Sequence, residues 1–534
     1  MTSARLLMLA PGDDIAVALD DLAPGERVDS PAGQQPLTVR GRVPRGHKIA
    51  LREVAAGAPV RKYGQIIGMA AVPISAGEHV HTQNLEFAPG MQGGAAPASG
   101  AAPASGAAPA SGAAAASGAA AAARAASGTV PAGEQHPPVT FDGFVRADGR
   151  VGTRNYIGVL TSVNCSATVA KLIAREAERR LGSFPNVDGV VALTHGTGCG
   201  MTVTGEGMRL LRRTLHGYAA HPNFAAILVV GLGCEVNQLA DLDLTSGPNP
   251  AAALTIQDAG GTTAAVRAGL DQLAELLPAA DAARRVPVPA SRLILGLECG
   301  GSDGYSGITA NPALGAAADL LVGCGGTAVL GETPEIYGAE HLLIARAAIP
   351  AVGDAIKERI AWWEAYAAQD AGTLDGNPSP GNKAGGITTI TEKSLGAIAK
   401  GGTTALRAVY RYAEPVTETG LVFMDTPGYD PVSVTGMVAG GAQVVCFTTG
   451  RGSVFGGKPA PSLKLCSNSE TYRRMTEDMD VNCGEIADGT ATVATVGRRI
   501  FDLVLATASG RRTASELLGF GDEEFTPWQL GAVL

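Results

Sequence analysis

Beyond residue 138 the chain alternates short apolar runs with longer segments whose apolar residues recur every three to four positions. Val190–Leu193, Ala226–Val230, Leu293–Leu297, Thr327–Leu330, Leu421–Met424 and Val444–Phe447 read as buried strands. Ala167–Arg180, Gly207–Ala220, Pro312–Leu321, Ala351–Gln369 and Val496–Ala508 read as helices. Such alternation predicts an α/β region, with parallel sheets covered by helices, over residues 139–534. That length exceeds one α/β unit, so two lobes with a site between them are expected. Residues 1–90 differ. Their short alternating runs, Leu37–Val43 and Ala70–Ile74, are broken by turns at Pro44-Arg-Gly46, Ala56-Gly57, Tyr63-Gly64 and Ala76-Gly77, which predicts a small β-rich domain. Between the two, Ala-Ala-Pro-Ala-Ser-Gly repeats from Ala95 to Gly112 and then degenerates. A segment with so little to bury reads as a flexible linker over residues 91–138.

Composition narrows the function. Net charge is −9 with no basic block, which argues against nucleic acid and anionic membrane as partners. An anionic substrate is still allowed if the site supplies its own positive charge. The N-terminal run Leu6–Ala10 is too short for a signal peptide, and the longest apolar run, around Phe224–Val230, falls far below the roughly 20 residues of a membrane span. A soluble, cytoplasmic protein is expected, with no membrane partner. The eight cysteines contain no C-x-x-C pair and are spread from Cys165 to Cys483, which suits reduced thiols better than a disulfide framework.

The candidate chemistry sits in glycine-bracketed loops, several of them directly after predicted strands. His195-Gly-Thr-Gly-Cys199 offers an imidazole and a thiol, as metal ligands or as base and partner. In Gly231-Leu-Gly-Cys234-Glu235, Glu235 reads as a general base, as a metal ligand, or simply as an acid at a helix N-terminus. The stretch from Leu297 to Asn311 holds Glu298, Cys299, Ser302, Asp303, Tyr305, Ser306, Thr309 and Asn311, a density of hydrogen-bonding groups that suits a polyhydroxylated ligand. Asn377-Pro-Ser-Pro-Gly-Asn382-Lys383 presents a lysine for a carboxylate or for acid–base work, and Arg451 suits a bidentate carboxylate. His79 and His81, two apart on a strand, face one side and can chelate a metal or grip a carboxylate. With His47, they make the β-rich domain a candidate lid over the active site. No nucleotide-binding glycine pattern is present.

Taken together, these motifs resemble the altronate/galactarate dehydratase family, sugar-acid hydro-lyases with a small SAF-type (β-clip-like) domain ahead of a large catalytic region. The resemblance runs through Arg45-Gly-His47-Lys48, Gly77-Glu-His79-Val-His81, Arg146–Asn155 with Arg154, Gly198-Cys199, Gly231–Glu235, Glu298–Gly304, Ser306–Pro312, Asn377–Gly386 and Phe447–Gly452. Its motifs stand closer to the altronate than to the galactarate branch. The resemblance implies removal of water from D-altronate to give 2-dehydro-3-deoxy-D-gluconate. Galactarate or another aldarate or aldonate, sulfite elimination from sulfolactate, and a non-catalytic sugar-acid binding protein are the alternatives. It also implies a ferrous iron cofactor with manganese as a stand-in, ligated by Cys165, Cys199, Cys234 and Cys299. Those thiolates can equally carry an iron–sulfur cluster. His47, His195, Glu235, Ser302, Asp303 and Lys383 are then the expected catalytic residues. His79, His81, Arg154, Asn311, Asn382 and Arg451 are expected to bind substrate. A small-molecule sugar acid is the expected partner, and a homo-oligomer is compatible with all of this.

Overall fold

Four copies of one short pattern build the N-terminal domain. Leu22–Val28, Val43–Ile49, Val54–Val60 and Ile74–Val80 each read aliphatic, two residues, glycine, two residues, aliphatic. Gly25, Gly46, Gly57 and Gly77 take φ between 74° and 81°, the third position of a type II turn, where a side chain would be strained. In each copy the N–H after the glycine donates to the carbonyl three residues back, as His47 does to Pro44 at 3.0 Å. The aliphatic ends are all buried, those of the first two turns in one cluster and those of the last two in another.

The computed structural model describes residues 5–31, 35–87, 139–369 and 372–531, and the linker expected over 91–138 lies outside the described residues. The strands of the small domain are shorter than the sequence reading. Leu37–Val43 pairs as a strand only at Leu37–Thr38, because Val39 and Arg40 donate to separate turns at Glu26 and Gly77. The other strand is Gln65–Ala70 and stops before Pro73, which has no N–H to donate. An antiparallel sheet runs Leu6–Leu7, Ile15–Ala18, Lys48–Ala50, His79–Val80. Its register sets His79 opposite Ile49, and so places it beside the turn that carries His47.

The large region holds two parallel sheets. The first has β1 (Tyr156–Thr161), β2 (Gly189–Leu193), β3 (Phe224–Gly231) and β4 (Ala251–Thr255), in the order β2-β1-β3-β4. The second has β5 (Ile294–Cys299), β6 (Thr327–Leu330), β7 (Leu406–Tyr410), β8 (Gly420–Met424), β9 (Val444–Thr449), β10 (Ser462–Cys466) and β11 (Val481–Asn482), in the order β7-β8-β6-β5-β9-β10-β11. The core strands β1, β6, β8 and β9 are buried on both faces, hence their long apolar runs, and β10 is equally buried although it carries Lys464. The two-lobed α/β reading therefore holds, and all five predicted helices are present. The 21-residue helix Thr262–Ala282 escaped it, because its buried positions include Ala265, Gly269 and Ala280, which barely mark an apolar stripe. Thr153 Oγ1 and Asn223 Nδ2 both donate to the Gln443 carbonyl, tying the sheets together at the amino ends of β1, β3 and β9.

In each sheet the chain enters at a central strand and builds outward to both sides. The direction changes between β1 and β3 in one and between β5 and β9 in the other. Loops leaving the carboxyl ends of such strands diverge and open a crevice. The small domain seals the second crevice by backbone contact: a Cβ on Gly304, in the loop after β5, would fall 2.1 Å from the Gly46 carbonyl oxygen. Gly304→Ala is therefore expected to lower the melting temperature by an overpacking cost of about 1–3 kcal/mol. Gly323→Ala, at a helix end with nothing within 4 Å, should leave it unchanged or slightly raised. Equal melting temperatures for Gly304→Ala and the parent would contradict the docked arrangement.

Candidate active site

The seam between the small domain and the β5–β9 crevice is organised by one carboxylate. Glu392 lies in the first turn of the helix Ile390–Ala397, whose N-cap Thr389 accepts from the Glu392 amide. Its carboxylate receives Lys48 Nζ at 2.8 Å and Lys62 Nζ at 2.9 Å, both from the small domain and all three side chains fully buried. Lys48 spends its other two N–H groups on the Gly386 carbonyl and Thr388 Oγ1. Burial alone would push the Glu392 carboxyl up, but the two ammonium groups outweigh it and hold it down to about 2. Around this anchor Tyr305 donates to the Ala18 carbonyl, Thr389 to the Ile67 carbonyl, and Arg45 pairs with Asp488.

Docking brings three imidazoles together. The ring centroids of His47, His79 and His81 lie 5.0–5.5 Å apart, and His47 Nδ1 is 3.0 Å from His79 Nε2. The far nitrogen of His47 faces the Ala384 carbonyl at 3.3 Å, and His81 Nδ1 faces Thr388 Oγ1 at 3.1 Å. Burial lowers His79 to about 3 and His81 to about 4, and it also lowers His47, with neighbouring cations adding to the effect in each. All three rings are thus neutral donors at neutral pH. His47 and His81 each have one nitrogen fixed on a carbonyl or hydroxyl, the kind of outer bond that orients metal-binding imidazoles.

Several other expected residues surround the same loop. Lys383 lies between Asn382 and Ala384; its backbone bonds Ser379 and Gly386, and its side chain makes no hydrogen bond or ion pair among the described residues. The Arg451 side chain runs beside Gly385, since a Cβ there would meet Arg451 Cδ at 3.3 Å. Asn382 completes a capping box with Ser379 and donates to the Ser302 carbonyl, pinning this loop to the one after β5. Asp303 is an internal knot. Its carboxylate accepts from Ser306, Ser467 and Asn468 side chains and from two backbone amides. Asn311 is similarly used up between the Gly396 carbonyl and Thr448. A cavity of about 10 Å³ between Lys62, Ser302, Asp303, Asn311, Glu392 and Lys393 is the size of about one water, so the seam is closed. A roomier cavity of about 460 Å³, lined in part by Met201, Trp362 and Leu530, holds none of the expected residues.

Three other expected residues lie away from this seam. Arg154 is buried and gives its donors to Glu516 and to the Thr153, Thr507 and Arg511 carbonyls, leaving none for substrate. His195 donates to the Thr161 carbonyl and accepts from the Thr197 amide, and burial lowers it to about 4. Glu235 accepts from Ser162 and from the Leu232 and Gly233 amides, bonds that outweigh its burial and keep it ionised. The four expected thiolates also part company. Cys165, Cys199 and Cys234 are exposed in loops after β1, β2 and β3, whereas Cys299 is buried at the end of β5.

Around Cys299 the structure gathers charges that the sequence reading passed over. Glu332, Glu335, Lys393 and Lys400 surround it, with Lys400 Nζ 2.8 Å from the sulfur and 2.6 Å from Glu332 Oε2, and Lys393 Nζ 2.6 Å from Glu335 Oε1. Donor atoms of Cys299, Glu332 and Glu335, and of Glu298, Glu332 and Asp430, lie within 4.8 Å of one another, so this cluster could hold a metal ion. Glu298 Oε1 and Glu332 Oε1 are buried without partners, and Glu332 sits at φ 66°. Burial and the neighbouring Glu332 push the Glu298 carboxyl well up, and burial with both acids does the same to the Cys299 thiol. Lys400 pairs with Glu332 and Lys393 with Glu335.

A small β domain that lays imidazoles over the crevice of a doubly wound sheet is the arrangement of a two-part α/β enzyme. The chain belongs to the altronate/galactarate dehydratase family. Residues 4–88 match the family's SAF domain, 143–281 the D-galactarate dehydratase/altronate hydrolase second domain, and 290–533 the D-galactarate/altronate dehydratase C-terminal domain. It is 35% identical to altronate dehydratase of Escherichia coli (strain K12), over 94% of this chain and 95% of that protein. To altronate dehydratase of Bacillus subtilis (strain 168) it is 34% identical, over 93% and 94%. To galactarate dehydratase (L-threo-forming) of Escherichia coli (strain K12) it is 35% identical, over 94% and 92%. The chain is an enzyme of the hydro-lyase class. Among the described residues no helix is long and apolar enough to cross a membrane.

Glu392 gives the seam a defined acid limit. Its folded pKa of about 2 lies below the roughly 4.3 of an unfolded glutamate, so its contribution is complete above about pH 4.3 and is lost as pH falls toward 2. Glu392→Gln strands two buried ammonium groups and is expected to cost about 3–5 kcal/mol in denaturant titrations at pH 7. That deficit should shrink in acid. A deficit that stays constant from pH 7 to pH 3 would contradict the assignment.

Proposed function

We propose that this enzyme dehydrates a sugar acid, D-altronate to 2-dehydro-3-deoxy-D-gluconate, in the seam between the small domain and the β5–β9 crevice. The observation that carries the reading is the convergence of His47, His79 and His81 on the loop that bears Lys383, with Arg451 beside it. Near full-length likeness to two altronate dehydratases supports altronate as the hexonate.

The chemistry asks for a proton to leave C2, next to the carboxylate, while the C3 hydroxyl departs. Arg451 places positive charge where the carboxylate gathers electron density as that proton leaves. Lys383, on the rim of the site, moves the C2 proton. His47, His79 and His81 would hold the ferrous ion, or manganese in its place, since they are clustered neutral nitrogen donors, two of them tied by outer hydrogen bonds. Such an ion supplies Lewis acidity at the carboxylate and the departing hydroxyl. The acid–thiol cluster at Cys299, whose donor atoms lie within 4.8 Å of one another, is the second candidate, with Lys400 bonded to two of those atoms. Closing the seam excludes water, and opening it admits substrate, so the small domain acts as a lid.

Under reducing conditions with ferrous iron the protein should form 2-keto acid from D-altronate faster than from galactarate, and release no sulfite from sulfolactate. Removing the metal with a chelator should abolish turnover, and iron should restore it. His79→Ala should lower kcat by about 10²-fold or more and release the catalytic metal. Undiminished turnover by the metal-free protein, or by His79→Ala, would overturn the proposal.

A further inference from the structure

We propose that Cys165, Cys199 and Cys234 form a second metal centre, a three-thiolate site for an iron–sulfur cluster at the carboxyl edge of the β1–β4 sheet. Free cysteine is among the most buried residue types. Here four of the eight are buried and Cys324 is half-buried, while the three exposed ones are these three. They sit on the loops leaving three neighbouring parallel strands, on both sides of the point where the chain reverses direction between β1 and β3. That is where an open α/β sheet places its ligands.

The three loops are locked to one another. Asn164, next to Cys165, donates from its amide to the Thr197 carbonyl at 2.9 Å and from its side chain to the His195 carbonyl at 3.2 Å. Asn237, just past Cys234, donates from its amide to the Gly198 carbonyl and from its side chain to the Ser162 carbonyl, both at 3.0 Å. Gly198, beside Cys199, lies so close to the first loop that a Cβ would fall 2.3 Å from the Ser162 carbonyl oxygen, and its φ of 99° suits glycine alone. The sulfurs are therefore carried by a rigid frame. Gln257 Nε2 stands 3.5 Å from Cys234 Sγ, a donor of the kind that tunes a metal-bound thiolate.

The spacing argues against a single ion. A single tetrahedral ion with bonds of about 2.3 Å needs its sulfurs about 3.8 Å apart. The three Sγ atoms do not all fall within 4.8 Å of one another. A polynuclear cluster, in which each thiolate binds a different iron, accepts the wider set. Three protein thiolates also leave one iron of a four-iron cluster without protein sulfur, open to an oxygen ligand such as water or a carboxylate. This centre is separate from the imidazole site, and neither proposal depends on the other.

The test is anaerobic reconstitution of the full-length protein with sulfide and equal amounts of ferrous and ferric iron. Equal amounts of bound iron and acid-labile sulfide are expected, with a broad absorption near about 400 nm. Cys165→Ser, Cys199→Ser and Cys234→Ser should each remove most of that absorption, whereas Cys324→Ser and His79→Ala should retain it. Alkylation mapped by mass spectrometry gives a readout free of any variant: loading should protect Cys165, Cys199 and Cys234 together. Absence of bound sulfide, a full chromophore in any of the three serine variants, or undiminished alkylation of the three thiols after loading would overturn the proposal.

Discussion

The Glu392 carboxylate, clamped between Lys48 and Lys62, is the interaction on which the catalytic arrangement depends. Three charges are removed from water together, and a desolvation cost of that size is recovered only when partners and hydrogen bonds are complete. Here Lys48 uses all three N–H groups, Lys62 also lies over the Tyr63 ring, and Glu392 accepts the Thr388 amide as well. Because the lysines come from one domain and the acid from another, the pairing fixes their relative pose. His47 precedes Lys48, and His79 lies across the sheet from Ile49. The same pairing that docks the domain therefore aims the imidazoles.

The strand and helix pattern of the large region was plain in the sequence, because its strands are buried on both faces and leave unbroken apolar runs. The small domain was harder to read. Its strands are two to six residues long, and its regularity lies in the four glycine turns rather than in alternation. The aliphatic–glycine–aliphatic spacing of those turns is visible in the sequence and would have located His47 and His79 on equivalent turns. Motif reading also found His47, His79, His81, Lys383 and Arg451, which the fold gathers from positions up to 404 apart in numbering (451 − 47).

What the sequence concealed was the partner of each charge. Asp303 and Asn311 lie in a loop dense in polar groups, yet that density closes on itself to knot the ends of β5, β9 and β10. Arg154, expected from the resemblance to bind substrate, is bonded to Glu516, 362 residues away. Glu332, Glu335, Lys393 and Lys400 carry no local motif, and only the crossovers of the β5–β11 sheet bring them to Cys299. One signal was available: Glu298 interrupts an otherwise apolar strand, and an acid buried in a parallel sheet needs a neighbour to answer it.

The central claim is that imidazoles from the small domain, aimed by Lys48 and Glu392, hold the metal that serves the seam. Pulsed electron paramagnetic resonance of the manganese-loaded enzyme tests this most directly, because it counts nitrogen nuclei at the ion. The account predicts imidazole nitrogen couplings that weaken in His47→Ala, His79→Ala and His81→Ala. An ion surrounded by oxygen alone, with a spectrum indifferent to all three substitutions, would contradict it.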